Sequence, residues 1–397
     1  LLYSAFTYYL GFRVNSGEYK LMGLAPYGIE NSEETFSFIE KIKSDLVDIK
    51  EDGSIFLNQE YFKYTYGLRM IKENKFKYLF GFNTRKEEEE INQTHCNMAL
   101  AIQKVTEEIV IKMVKETKRL TNSNNLCLSG GVALNCVANG KIDELGLFEN
   151  IYIQPASGDA GGSLGAALAI NHMYFYSDRL YSKDYDLMRG SYLGPYFSEK
   201  EILITNKKFK AVFEYEVSFE KLSEKVAKLI SEGNVIGWFQ GRSEFGPRAL
   251  GNRSILADPR NPGMQKKLNL KIKYREGFRP FAPSVLEEDY NNFFEGNTTS
   301  PYMMLVKKIK EKIKLKTPTG YWNLNYWDRL YTNRSKLQSI THVDFSARIQ
   351  TVSKKTNPKY WALINEFKKL TEVGVLVNTS FNVRGEPIVN SPEDAFK

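Results

Sequence analysis

The chain has 397 residues, 42% of them hydrophobic and 26% charged, which are the proportions of an ordinary globular protein of two or three domains. No run of ~18 uninterrupted apolar residues occurs, which excludes a membrane-spanning helix. The net charge of +8 admits either nucleic acid or a small phosphorylated substrate; no RNA-binding signature is present, and we expect no nucleic-acid partner.

The first residues, LLYSAFTYYLGFRVNSGEYK, lack a basic leader and a cleavage site and do not read as a signal peptide. Without an initiator methionine, the chain is expected to begin inside a longer protein. From Glu87 to Leu120, apolar residues at Ile91, Met98, Ile102, Val105, Ile109 and Met113 predict a long amphipathic helix. His95 lies on that stripe and reads as a packed residue rather than a catalyst. LCLSGGVALNCVANG then predicts a buried strand, a turn at Gly130 and Gly131, and a helix. IYIQPASGDAGGSLGAALAI repeats the order, with Asp159 inside the glycine turn. Two such units in tandem argue for an α/β fold.

A tyrosine-rich polar stretch marks a linker over 176–192. A helix near Phe219 to Ser231 and a buried strand over Val235–Phe239 follow. The arginine-dense loop GWFQGRSEFGPRALGNRSILADPR comes next, with Arg242, Arg248, Arg253 and Arg260. A second cluster, KIKYREGFRPFAPSVLEED, supplies Lys271, Lys273, Arg275 and Arg279 among aromatics and prolines. Arginine forks on glycine-rich loops suit a polyanion, so the two clusters read as a phosphate-binding site; a solvated basic loop is the plain alternative for the first. Lys307 to Arg334 is an irregular insertion. Arg348 sits among apolar neighbours in HVDFSARIQTV, where a salt bridge to Asp344 is the structural alternative to ligand binding. A buried strand over Val373–Val377 places Asn378 and Ser380 at its exit, either as ligand-binding side chains or as an ordinary turn. Ser391 and Pro392 start a last helix.

Gly130 and Gly131 form a generic anion cradle at a helix start, or a close-packing turn. Asp159 could cap its helix or bind a divalent cation. Cys96, Cys127 and Cys136 form no CxxC pair, so we expect no disulfide framework and a reducing cytoplasm. His95, His172 and His342 are too scattered to build a histidine metal site.

The segments LMGLAPYG, LSGGVALNCVANG, PASGDAGGSLGAAL, GRSEFGPRALGNRSILADPR, NLKIKYREGFRPFAP, HVDFSARIQTV and NTSFNVRGEPIVNSPEDA occur in the order seen in the NodU/CmcH O-carbamoyltransferase family. The resemblance spans nearly the whole chain. It implies the second half of an actin-like (ASKHA-type) transferase domain over 1–175, the linker, and a YrdC-like α/β domain over 193–397. The YrdC-like domain would condense carbamoyl phosphate with ATP, release pyrophosphate and form carbamoyl adenylate. The actin-like domain would pass the carbamoyl group to a small-molecule or glycan hydroxyl. By the same resemblance, Arg248, Lys273, Arg279, Arg348, Asn378 and Ser380 would line the YrdC-like site, with Arg248, Lys273 and Arg279 catalytic. Gly130 and Gly131 would lie at the adenylate, with Gly131 touching it through its backbone. Asp159 would be one ligand of a divalent metal, iron or magnesium, whose histidines lie upstream. A homodimer is admitted. Two departures stand out: Phe345 occupies a position where the family mostly has glycine, and the insertion before it is long. A threonylcarbamoyl-tRNA-type enzyme and a non-catalytic nucleotide-binding scaffold are the competing functions.

Overall fold

The structure, a computed structural model, describes residues 1–180 and 186–397; residues 181–185 of the expected linker lie outside the described residues. It is a mixed α/β protein, helical in its first part and built on a six-stranded sheet in its second.

In the first part, helices Leu2–Tyr9, Glu18–Leu24, Glu33–Lys41, Glu73–Phe80 and Gln93–Thr121 pack around Phe6, Tyr9, Phe62, Phe76 and Phe80. A hairpin of β1 (Val47–Ile49) and β2 (Ile55–Leu57) adjoins them. The long helix starts later than its apolar stripe implied because its cap sits at Asn92. The Asn92 side chain accepts from the His95 amide at 3.1 Å, and His95 Nδ1 accepts from the Asn92 amide at 3.2 Å. Such a cap contributes about 1 kcal/mol. Burial holds the His95 imidazole down at about 4, so it is a neutral packed residue, as its place on the stripe implied.

Both strand–glycine turn–helix units form. β3 (Asn125–Leu128) pairs in parallel with β4 (Asn150–Ile153), and helices Cys136–Glu144 and Gly161–Ala169 follow the turns. The expected buried strand is only half so: Leu126 is buried while Cys127 faces out, and the Gly161–Ala169 helix buries none of its residues.

The large sheet comprises β5 (Ile236–Phe239), β6 (Arg253–Ala257), β7 (Ala282–Leu286), β8 (Leu305–Lys308), β9 (Ser346–Val352) and β10 (Val375–Ser380), in the order β5-β6-β10-β7-β9-β8. Only β7 and β9 run parallel. Side chains alternate between faces along each strand. Leu256, Leu286, Val352 and Leu376 meet helices Phe219–Ser231 and Pro358–Thr371 on one face. Ile255, Val285, Ile349, Val375 and Val377 meet Met264, Leu268, Phe293 and Phe294 on the other. Each fully buried residue of this kind contributes about 1.5–3 kcal/mol. β10 corrects the expectation for its end: Asn378, Thr379 and Ser380 lie inside the strand, held by pairing of Asn378 with Leu256 and Ser380 with Ser254.

The two parts share their interiors. Phe278, Tyr326, Leu330 and Val343 belong to the same apolar cluster as Phe6 and Leu21. Helix Cys136–Glu144 covers β8, the edge of the sheet. A Cβ on Gly140 would stand 2.3 Å from the Val306 carbonyl oxygen, so only glycine permits this approach. Near the end of the expected linker, Met188 and Ser191 are buried, and Tyr192 donates to the Leu250 carbonyl at 2.9 Å.

Candidate functional site

The arginine-dense stretch that runs from the end of β5 to just past β6 separates into one loosely held guanidinium and three firmly occupied ones. Arg253 is fully buried and donates to the carbonyls of Gln240, Gly241, Asn252 and Asn390, with its plane 3.5 Å from the Phe239 ring centre. Arg260 is held by Asp258 at 2.7 Å, and exposed Arg242 donates to the Gly194 carbonyl at 2.9 Å. Three of the four arginines thus spend donors on the protein itself, and none of these three was among the named site residues. A glycine-rich loop leaves backbone carbonyls without ladder partners, and Arg253 and Arg242 satisfy some of them. Arg248 differs. Among the described residues its Nε is buried with no hydrogen-bond partner, and the guanidinium makes one hydrogen bond, a long one of 3.5 Å to the Leu134 carbonyl. Burial first, and then Arg348, push its guanidinium down to about 9.

Arg348 reaches the same region from the sheet. On the face that carries Leu256, Leu286, Val352 and Leu376, polar residues take over toward one end: Ser254, Ser284, Gln350 and Asn378, with Arg348 beyond Gln350. Asp344 is not its partner, since that carboxylate accepts from Ser346 at 2.6 Å and from Lys308 at 3.2 Å. Arg348 Nε is likewise buried without a partner among the described residues, and burial lowers the affinity of the guanidinium for the proton. Asn378 is 1% exposed and donates to the Ala249 carbonyl, Ser284 Oγ and Gln350 Oε1 at 2.9–3.1 Å. It therefore braces the backbone next to Arg248 from beneath.

The second cluster completes the group. Lys273 Nζ is buried and donates to Ser380 Oγ at 3.2 Å and to the carbonyls of Ser380 and Asn382 at 2.5 and 2.8 Å. All its partners are neutral, and burial, then Arg275 and Arg279, bring its amine down to about 7. Glu276 is the acid facing these cations. Burial would raise it, but the hydrogen bond from Lys20 and a backbone amide hold it at about 2. Its contact with Arg279 is long, 3.5 Å, against 2.8 Å to Lys20. Arg248, Lys273, Arg275, Arg279 and Arg348 thus form a linked cationic group with one acid among the described residues, itself engaged elsewhere. Taking such charges out of water costs several kcal/mol apiece unless an anion answers them.

Residues of the first part wall this group, which the sequence did not disclose. The ring of Tyr19 lies 4.7 Å from the Arg279 guanidinium, Lys20 pairs with Glu276, and the Cys136 thiol lies beside Arg348. The available signal was the segment GEYK directly before LMGLAPYG; nothing in its spacing points to residues so distant in the chain.

The glycine turn adjoins the same place, since Leu134 closes the short helix Gly131–Leu134. Gly130 has φ +98°, a conformation that favours glycine, and its amide is tied to the Ser157 carbonyl at 2.8 Å. A Cβ on either Gly130 or Gly131 would meet nothing within 4 Å, so open space lies against this backbone. Asp159 is exposed and does not cap the following helix; its carboxylate has no hydrogen-bond partner among the described residues. No group of three acidic, histidine or cysteine side chains converges there among the described residues. One carboxylate does not make a metal site, so no chemical step is assigned to a metal. The three cysteines are free. No helix among the described residues is long and apolar enough to cross a membrane.

Comparison with known proteins gives two family matches: residues 1–168 to a model described as carbamoyltransferase N-terminus, and residues 227–397 to one described as carbamoyltransferase C-terminus. An uncharacterised protein of Synechocystis sp. is 52% identical over 100% of this chain and 63% of its own length. Nodulation protein NolO of Bradyrhizobium diazoefficiens is 36% identical over 96% of this chain and 62% of its own length. The 3'-hydroxymethylcephem-O-carbamoyltransferase of Amycolatopsis lactamdurans is 31% identical over 77% of this chain and 51% of its own length. The chain thus spans roughly half to two thirds of the length of these relatives.

Proposed function

The chain belongs to the NodU/CmcH family of carbamoyltransferases, and on that footing we propose that it serves ATP-dependent O-carbamoyl transfer. Carbamoyl phosphate and ATP, with one water consumed, yield carbamoyl adenylate, phosphate and pyrophosphate. The carbamoyl group then passes to a hydroxyl of a sugar or secondary metabolite, releasing AMP. The observation that carries this reading is the linked group of Arg248, Lys273, Arg279 and Arg348 with almost no acid to neutralise it. Bringing a triphosphate together with carbamoyl phosphate concentrates negative charge, and fixed cations placed beforehand offset it without reorganisation. Arg248, Arg279 and Arg348 would grip phosphoryl oxygens, Lys273 would gain its full charge as the anion arrives, and Ser380 would orient Lys273. Asn378 is a positioning residue. Gly131 would offer its backbone amide to the adenylate from the facing wall, and Gly130, whose own amide is tied to Ser157, would leave the room for it to approach.

In fold terms, the first part would be the second half of an actin-like domain and the sheet domain a YrdC-like one. The hydroxyl acceptor is supported by the names of relatives, one of which acts on a hydroxymethyl cephem. A water-poor passage between the glycine turn and the arginines would protect the labile adenylate. The test is product analysis after incubating the chain with ATP and carbamoyl phosphate. Carbamoyl-phosphate-dependent AMP and pyrophosphate are expected; ADP and phosphate in their place would overturn the adenylate route.

A further inference from the structure

Arg275 was one of four basic residues in its cluster and had no separate role. Its geometry sets it apart. The helical stretch before it ends at Ile272, and the chain turns sharply through Tyr274 at φ +46°. The Arg275 amide then bonds back to the Asn269 carbonyl at 3.0 Å, and its Nε donates to Asn269 Oδ1 at 2.6 Å. Asn269 is fully buried, and its Nδ2 donates to the carbonyls of Gly277 and Arg279 at 3.2 and 3.1 Å. One buried amide therefore fixes the loop at both ends. The guanidinium of Arg275 stands 4.5 Å from the Phe281 ring centre.

These contacts use one nitrogen and one face of the guanidinium. The two terminal nitrogens, which form the fork suited to phosphoryl oxygens, have no protein partner among the described residues, and no carboxylate lies within 4.0 Å. Arg279, by comparison, has Glu276 and the Tyr19 ring. Burial, followed by Arg279, lowers the proton affinity of Arg275 well below the ordinary arginine range, and Arg348 acts in the same direction. A purely structural arginine would resemble Arg253, whose donors are spent on carbonyls.

We propose that Arg275 is a direct ligand of the anion in this site, its free fork gripping two phosphoryl oxygens of a condensed phosphate, with Asn269 as the residue that aims it. This rests on the reading of the cationic group as a polyphosphate site and adds a residue to it. Pinning Nε and stacking the flat face leave little side-chain freedom to lose on binding, so the fork is prepared in advance.

The experiment is calorimetric titration of the chain with pyrophosphate, alongside thermal unfolding with and without it, for wild type, Arg275→Ala, Arg275→Lys and the exposed control Arg242→Ala. Wild type and Arg242→Ala should bind equally. Arg275→Ala should bind about ten- to a hundredfold more weakly, with Arg275→Lys recovering only part. Without ligand, the unfolding midpoint of Arg275→Ala should fall modestly, because buried Asn269 Oδ1 loses its donor, so the affinity is the deciding readout. A lowered midpoint with undiminished affinity would make Arg275 structural and overturn the assignment while leaving the site intact. Wild type that fails to bind pyrophosphate would overturn the polyphosphate reading itself, and this assignment with it.

Discussion

Arg279, in the loop before β7, lies with its guanidinium 4.7 Å from the ring of Tyr19, a residue of the first part of the chain. The cationic site of the sheet domain is therefore completed by a helix that precedes it by most of the sequence. Removing that ring should release Arg279 to solvent. A cation–π contact of this kind contributes about 0.5–2 kcal/mol. Tyr19→Ala should weaken pyrophosphate binding by a corresponding two- to thirtyfold, while Tyr19→Phe keeps it. Equal affinity in all three proteins would show the stacking to be incidental.

Arg279→Ala should cost about 1.5–3 kcal/mol for each charge-assisted bond lost. Adenylate formation should then fall by about one to two orders of magnitude, with the fold retained. Arg279→Lys should rescue only partly, because a point charge cannot reproduce a planar fork. Undiminished AMP release by the alanine variant would remove Arg279 from the catalytic set.

Lys273 should leave a signature in the pH dependence of stability. Its folded-state value is about 7, against an ordinary value of 10.5. Between those limits the unfolded chain holds the proton and the folded chain does not, so stability climbs as pH rises through that window. Relative to Lys273→Met, the unliganded wild type should therefore gain resistance to urea from pH 7 to pH 10. Parallel profiles for the two proteins would mean that the amine is not desolvated.

Much of the architecture was legible because it rests on local patterns. The stripe of the long helix, the two glycine turns and the Phe219–Ser231 helix each follow from spacing alone, and the structure has all of them, with the long helix starting at Gln93 rather than Glu87. The arginines were not separable in this way. Arg248 and Arg253 are alike in sequence, and only the folded loop shows that one spends its donors on carbonyls while the other does not. Asn378 read as a strand exit because a short polar residue after an apolar run ends a strand in most settings; here the polar end of the sheet face continues it. Tyr19 and Lys20 were missed because tertiary proximity leaves no periodicity.

The two unusual features around position 345 explain each other. Phe345 has φ +63°, a left-handed conformation, where the resemblance led us to expect glycine. Its ring packs against Tyr321 and Trp322 of the long insertion, with centroids 5.9 and 6.2 Å apart. Left-handed backbone costs an ordinary residue roughly 1–2 kcal/mol, which the ring contacts offset. Phe345→Ala should lose the contacts and keep the strain; Phe345→Gly should lose both. The glycine variant should therefore unfold at a higher temperature than the alanine variant, the reverse of the usual order. The usual order would show that the strain is absent.

The Asp159 carboxylate makes no hydrogen bond among the described residues, so Asp159→Ala should leave folding stability unchanged. If it is one metal ligand, the substitution in the intact, longer protein should remove bound divalent metal and carbamoyl transfer but not adenylate formation. Full metal occupancy with normal transfer would end that assignment.

The arginine wall of the site rests on a well-buried support. Arg348 and Ser380 ride on a six-stranded sheet covered on both faces, whose amides should exchange with solvent only on global opening. The phosphate grip is thus set before any ligand arrives, and little of the binding free energy goes into ordering it.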